Sequence, residues 1–356
     1  MSRHPVIPHG KARPAPRLRR LSAGFTLIEL MIAMLLGLIV IAGVTSVFLA
    51  TQRSYRTNVA LGDVQDGSRI AFEMMARDIR DAGLTGCGNA GRVANVLNNS
   101  PTGGGTPTWW ADWGNAVHGY DVGTGADPAL TVGTAASNQV SGTESLQLLG
   151  AVDTGLSVAA NPSSTAANFK LNDTTSDLTT GDVIIVCDPD HATIVQISDY
   201  NDSNVTVVHN SGTGTPGNCS KGVGYPTVCT TNGNGYQFGP NSQIFKLGAV
   251  DWYIGINPVG GKSLYRVSLV TTGTTPTPIS QEMVRDVTAM NILYHQAGGT
   301  SFVPAATIGL PTANWATVDS VRVKLTLESV DKRAGTDVKA LTRDFTATTT
   351  VRNRVP

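Results

Sequence analysis

The chain has 356 residues, with 26 basic and 26 acidic side chains, so its net charge is about zero; 15% of residues are charged and 41% hydrophobic. Apolar content near the globular average excludes a disordered chain, and a single long apolar run excludes a polytopic membrane protein. The overall charge gives no sign of a nucleic-acid binder.

The charge is, however, segregated. Residues 1–24 carry Arg3, Lys11, Arg13, Arg17, Arg19 and Arg20 and no acid, so the rest of the chain is net acidic. The same stretch holds Pro5, Pro8, Pro14 and Pro16, which prevent a stable helix. It reads as a basic leader peptide that is cleaved, or as a cytoplasmic tail.

From Phe25 the sequence turns apolar, and Leu30 to Ala50 is uncharged. At 1.5 Å per residue this run spans roughly 30 Å, one bilayer core. With the basic residues before it, the positive-inside rule places the N-terminus in the cytoplasm and the remainder outside. Glu29 does not fit a plain signal anchor: a carboxylate at the bilayer centre costs about 2.5–3.5 kcal/mol, less near the edge. If the chain is cut between Gly24 and Phe25, the new α-amine lies about one turn from Glu29. In an assembly of staggered helices, the amine of one subunit can pair with the carboxylate of the next, which would fix their axial register.

The string Gly24-Phe25-Thr26-Leu27-Ile28-Glu29-Leu30-Met31 resembles the prepilin cleavage motif of type IV pilins and type II secretion pseudopilins. The resemblance implies that a prepilin peptidase cuts after Gly24 and N-methylates Phe25, and that Glu29 directs assembly. The leader is longer than in many pilins.

The helix is expected to continue beyond the membrane, since no proline occurs between Pro16 and Pro101. Leu61, Val64, Ser68, Ala71 or Phe72, Met75 and Ile79 recur at three- and four-residue steps, an amphipathic pattern with one buried stripe. Gly83 is the expected C-cap. The expected division is a membrane or filament-core half over 25–50, an amphipathic half over 51–83, and a β-rich globular domain over 84–356. Gly37 and Gly43 are points where the helix could loosen, or simply small residues for helix packing.

Residues 84–356 alternate Val, Ile, Thr and Tyr with Gly-, Asn- and Pro-rich loops, the pattern of antiparallel strands. Strands are expected at 182–186, 192–197, 205–209, 244–256, 264–270, 287–295, 318–328 and 341–351, with long loops at 98–143 and 210–242. The fold class is therefore α+β: a long N-terminal helix packed on a large, loop-rich antiparallel domain.

A second resemblance comes from the helix end 77–83 with Gly86-Cys87-Gly88, the central element 181–188, and three C-terminal stretches, 284–294, 315–323 and 343–354. This order resembles the PilW family of minor pilins. It implies a non-enzymatic subunit that helps start type IV pilus assembly, supporting adhesion or twitching motility. The implied partners are other minor pilins, a major pilin, a tip adhesin-like protein, prepilin peptidase and the inner-membrane assembly platform. The implied location is first the inner membrane, single-pass with the large domain periplasmic, and then the pilus, at its tip. A J-type minor pseudopilin of a type II secretion system is the nearest rival. A membrane-anchored periplasmic enzyme is a remote one, and direct nucleic-acid binding is not expected of an acidic mature chain.

Four cysteines, Cys87, Cys187, Cys219 and Cys229, lie on the expected outer side, where disulfides persist. Three pairings are possible. Cys219–Cys229 closes a short loop and is the first choice, leaving Cys87–Cys187; free thiols or zinc are the alternatives, although no CxxC spacing occurs and His191, His209 and His295 are scattered. No cofactor or metal is expected. Gly212 to Gly217 fits the letters GxGxxG, but Pro216 and Gly217 forbid the helix that a dinucleotide site requires. Gly255 to Ser263 reads as a hairpin turn. Asp173, Asp177 and Asp182, or Asp199, Asn201 and Asp202, could offer oxygens to calcium but lack the EF-hand spacing. Trp109, Trp110 and Trp113 are either a contact surface or local packing.

Overall fold

The structure, a computed structural model, describes residues 24–88, 91–164, 166–308, 314–335 and 337–354. Apart from Gly24, the expected leader lies outside these residues. The chain divides into two compact units after Tyr55. One helix, α1 (Leu27–Asp81), runs through that division.

In the first unit α1 is apolar on every side and long enough to cross a membrane by length and composition. Its large side chains stand exposed, Leu38 and Ile41 among them. The helix continues through Gly37 and Gly43 without interruption, and neither has an atom near enough to meet an added Cβ.

In the second unit the rest of α1 buries Ala60, Val64, Ser68, Ala71, Met75 and Ile79. The stripe has the spacing read from the sequence, except that Ala60 is buried and Leu61 only partly so. The helix ends at Asp81, and Gly83 follows with φ of +74°, the left-handed conformation of a helix C-cap. Gly83 N–H then donates to Leu149 O at 2.7 Å, and Ala82 bridges Gly150. A Cβ on Gly150 would lie 2.6 Å from Asp81 O, so this approach of helix end to strand requires glycine.

The larger sheet is built on two long antiparallel strands, β3 (Ser145–Ala160) and β9 (Gln243–Ile256). Their ladder forks at both ends. Towards the start of β3 it is flanked by β2 (Val117–Tyr120) on one side, and by β10 (Lys262–Thr272) and β11 (Thr275–Arg285) on the other. Towards the end of β3 it is flanked by β4 (Asn168–Leu171), then β8 (Thr206–Val208) and β7 (Asp199–Asn201). Opposite these lie β5 (Val183–Cys187), β6 (Ala192–Gln196) and β1 (Val93–Asn95). All pairs are antiparallel except β1 with β6, which is parallel.

A separate three-stranded antiparallel sheet contains β12 (Val287–Gln296), β13 (Val318–Glu328) and β14 (Thr342–Thr350). On β13 Val321, Val323, Leu325 and Leu327 face inward, as alternation predicts. The largest core joins the α1 stripe to Leu146, Leu148, Val250, Trp252 and Ile254 of the large sheet and to these β13 residues. Asp78 of α1 reinforces this junction: its carboxylate accepts Arg266 Nε at 2.8 Å and Trp252 Nε1 at 2.9 Å. A second core surrounds Phe169, Phe238 and Ile184, and a third, on the face of the sheet away from α1, contains Trp110, Leu149 and Ile194.

The structure adds strands to the ranges expected, among them β3 and β11, both of which are long. β3 carries Gly150, Gly155 and a bulge between Asp153 and Leu156, and β11 carries Pro276 and Pro278, which suit an edge strand. The stretch 98–143 is not all loop either: it contains two 3-10 turns and β2. Residues 210–242 contain no named strand.

Disulfides join Cys87 to Cys187 and Cys219 to Cys229. The first spans a sequence separation of 100 and ties the segment after α1 to β5; the second spans 10. In the chain-entropy account a loop of the first size contributes about 4.7 kcal/mol and a short one about 3 kcal/mol. Replacing Cys87 and Cys187 by serine is therefore expected to lower the urea midpoint more than replacing Cys219 and Cys229, measured on the full chain in detergent micelles.

Candidate functional site: the N-terminal segment

Gly24 and Phe25 precede α1 outside any helix or strand, with Phe25 88% exposed. Among the described residues, no atom would meet a Cβ added at Gly24.

Thr26 and Glu29 form a reciprocal cap at the start of α1. Glu29 N–H donates to Thr26 Oγ1 at 3.3 Å, while Thr26 N–H and Thr26 Oγ1 donate to Glu29 Oε2 at 3.0 and 2.8 Å. This is a capping box, Thr-x-x-Glu, in which two of the helix's otherwise unpaired groups satisfy each other. The carboxylate also lies at the positive end of the helix dipole. Both donors use Oε2, which leaves Oε1 for a further partner. The cap was missed in the sequence, although the pattern Thr26-Leu27-Ile28-Glu29 before an apolar run was there to read.

The other candidate motifs resolve into packing. Among the described residues, no group of three or more His, Cys, Asp or Glu is placed to hold a metal ion. His209 is fully buried, stacked on Phe169 at 4.6 Å, and burial lowers its pKa to about 4, which keeps it neutral. His191 stacks on Tyr236 and contacts Val223 O, whereas His295 bonds Asp319 and Gly299 O. Asp182 is buried in a bridge to Lys246 at 2.9 Å and also accepts Thr271 Oγ1; Asp173 binds the adjacent Thr174 N–H. The loop at Gly212–Gly217 is held by Gln196, whose Oε1 accepts Gly217 N–H at 2.7 Å. Trp110 is buried, and Trp109 and Trp113 pack against the same core, so the three tryptophans serve local packing.

The profile of the prokaryotic N-terminal methylation motif matches residues 19–45. The N-terminus is of the prepilin type. This supports a type IV pilin-like or pseudopilin-like protein, and the α+β architecture, a long N-terminal helix packed on a large β domain, is consistent with it. The motif also implies processing by a peptidase in a pilus or secretion-system setting, and it suggests a structural rather than enzymatic protein. With the apolar helix it fits an inner-membrane-anchored chain. No curated protein matches the sequence.

Thr26→Ala removes the hydroxyl half of the cap, a change worth about 1 kcal/mol at a helix N-terminus. Faster amide exchange is expected in residues 27–30 of the full chain in micelles, with the exchange of 60–79 unchanged.

Proposed function

We propose that the protein is a PilW-like minor pilin that takes part in initiating type IV pilus assembly, within a tip or priming complex that supports adhesion or twitching motility. The observation that carries the reading is the N-terminal segment: Gly24 followed by an exposed Phe25, a carboxylate at Glu29, and the start of the uncharged run Leu30–Ala50, all within a methylation-motif match over 19–45. The same N-terminus serves secretion pseudopilins. The stretches at 284–294, 315–323 and 343–354 favour the pilus, by their resemblance to PilW minor pilins.

In this reading the basic leader stays in the cytoplasm and the β domain lies in the periplasm. Cleavage creates a cationic amine at Phe25, which is then methylated. The amine needs a carboxylate at the same depth in a medium where an unpaired charge is costly. Glu29 supplies it, with Oε2 holding the first helical turn through Thr26 and Oε1 available to the amine of a neighbouring subunit. The apolar helix is stored in the lipid and then moves into a helical bundle, where similar side chains replace acyl chains. Other minor pilins, a major pilin, a tip adhesin-like protein and the assembly platform are the proposed partners.

The test is the mass and N-terminal peptide of the protein from native membranes, with and without prepilin peptidase. A methylated Phe25 start that depends on the peptidase is expected; an intact leader would overturn the reading. Gly24→Arg is expected to block cleavage. Glu29→Val is expected to leave a processed, membrane-inserted protein that is absent from sheared pili, and normal incorporation of that variant would refute the register argument.

A further inference from the structure

The face of the large sheet turned away from α1 holds two carboxyl groups that the proposed function does not use. Asp251 lies mid-strand in β9, directly opposite Gln147 of β3. It is 0% exposed, and neither of its side-chain oxygens makes a hydrogen bond of good geometry, although Gln147 and the Leu146 backbone lie close enough to offset part of the cost of burying a charge there. Asp127, 3% exposed, comes from the segment that follows β2 and folds over this face. Its Oδ1 accepts Ala129 N–H at 2.8 Å and Gln147 Nε2 at 2.6 Å, and its Oδ2 accepts the Ser145 hydroxyl. Both carboxyl groups meet at Gln147, which lies across the ladder from Asp251 and donates to Asp127, and burial first, then the Asp127 carboxylate, push the Asp251 pKa far up.

Two ionised carboxylates cannot share this space. Each buried charge costs several kcal/mol, and their mutual repulsion adds to that. A divalent cation would neutralise both, but calcium takes six to eight oxygens. Here Ala129 N–H, the Ser145 hydroxyl and the Gln147 amide all donate to Asp127, an arrangement of donors that suits an anion rather than the ligand shell of a cation. A proton meets the need with what is present. Protonated Asp251 loses its charge and gains the O–H donor that it lacks, directed at the one carboxylate beside it, as in other close carboxyl pairs.

We propose that Asp251 holds a proton that it donates to Asp127, and that this proton fastens segment 121–130 to the β2–β3–β9 face, so that the segment opens as Asp251 ionises. The neighbouring groups leave this step to the pair. On β2, burial lowers the pKa of His118, against the pull of Asp112 and Asp127, which favours its neutral form. Tyr120 on β2, Tyr265 on β10 and Tyr294 on β12 are all raised by burial, as is Tyr253 on β9, to about 12. Glu144, beside Ser145, is raised by burial but is occupied on the opposite side, accepting Ile292 N–H and Asn291 Nδ2.

The sign follows from the raised pKa. The closed state binds a proton that the open state has released, so closure is favoured at low pH and is lost as pH rises through the closed-state pKa.

The test is amide exchange of residues 121–130 in the full chain in micelles between pH 5 and 9, corrected for intrinsic exchange. The opening equilibrium is expected to rise about tenfold per pH unit until Asp251 has lost its proton, and then to level. Asp251→Asn places a permanent N–H donor where the proton sits, so the segment is expected to stay protected with no pH slope. Asp127→Asn, which removes the repulsion from the other side, is expected to move the rise to lower pH, and it serves if Asp251→Asn does not fold. Glu144→Gln is expected to leave the slope unchanged. An infrared band of a protonated carboxyl group is expected in the wild type at pH 7 and absent from Asp251→Asn. The proposal is overturned if wild-type exchange does not vary with pH, if that infrared band is missing, or if the slope survives in Asp251→Asn. It is also overturned if EDTA opens the segment at fixed pH and added calcium closes it, since a cation would then hold the pair.

Discussion

The second unit depends on one line of small and medium side chains. Val64, Ala71, Met75 and Ile79 on α1 meet both sheets at once, and neither sheet could bury its inner face without them. Small residues at positions 68 and 71 keep the helix close, and Met75, 1% exposed, belongs to the core that also holds Trp252 and the β13 valines, where its flexible side chain suits irregular space. Asp78 then sets the rotation of the helix, because only one face can present a carboxylate to both Arg266 and Trp252. The close seat of the helix end on β3, through Gly83 and Gly150, fixes its position along the axis.

How much of this was legible follows from how local each signal is. The α1 stripe and the inward face of β13 could be read because helical and strand periods are properties of neighbouring residues. β5 could be read as a short apolar run, and all five of its residues are indeed buried. β3 could not, because its glycines and bulge interrupt the alternation, and what makes it a strand is β9, about a hundred residues away. β11 was hidden by two prolines that a central strand would exclude but an edge strand tolerates.

The candidate site divides in the same way. Gly24, Phe25 and Glu29 are contiguous, so their relation is plain in the sequence; the cap between Thr26 and Glu29 was equally local and was overlooked. The pair Asp127–Asp251 belongs to the opposite case. The presence of Asp251 between Val250 and Trp252, in the apolar second half of β9, is a visible oddity, but nothing in the sequence says that Asp127 lies near it. Buried polar groups of this kind arise from topology, and only coordinates bring them together.

The covalent link between Cys87 and Cys187 has a mechanical meaning. Tension drawn along α1 leaves the helix at Asp81 and enters the chain just before Cys87. The disulfide carries that load directly to β5, which lies between β6 and β9 in the interior of the large sheet. The hundred residues that it closes off, including β1, β2 and all of β3, are thereby shielded from being peeled out one strand at a time from their N-terminal end. β5 would have to be sheared from two neighbours together, a harder path than unzipping an edge. The oxidised domain is built to hold its shape while it is pulled by its own helix.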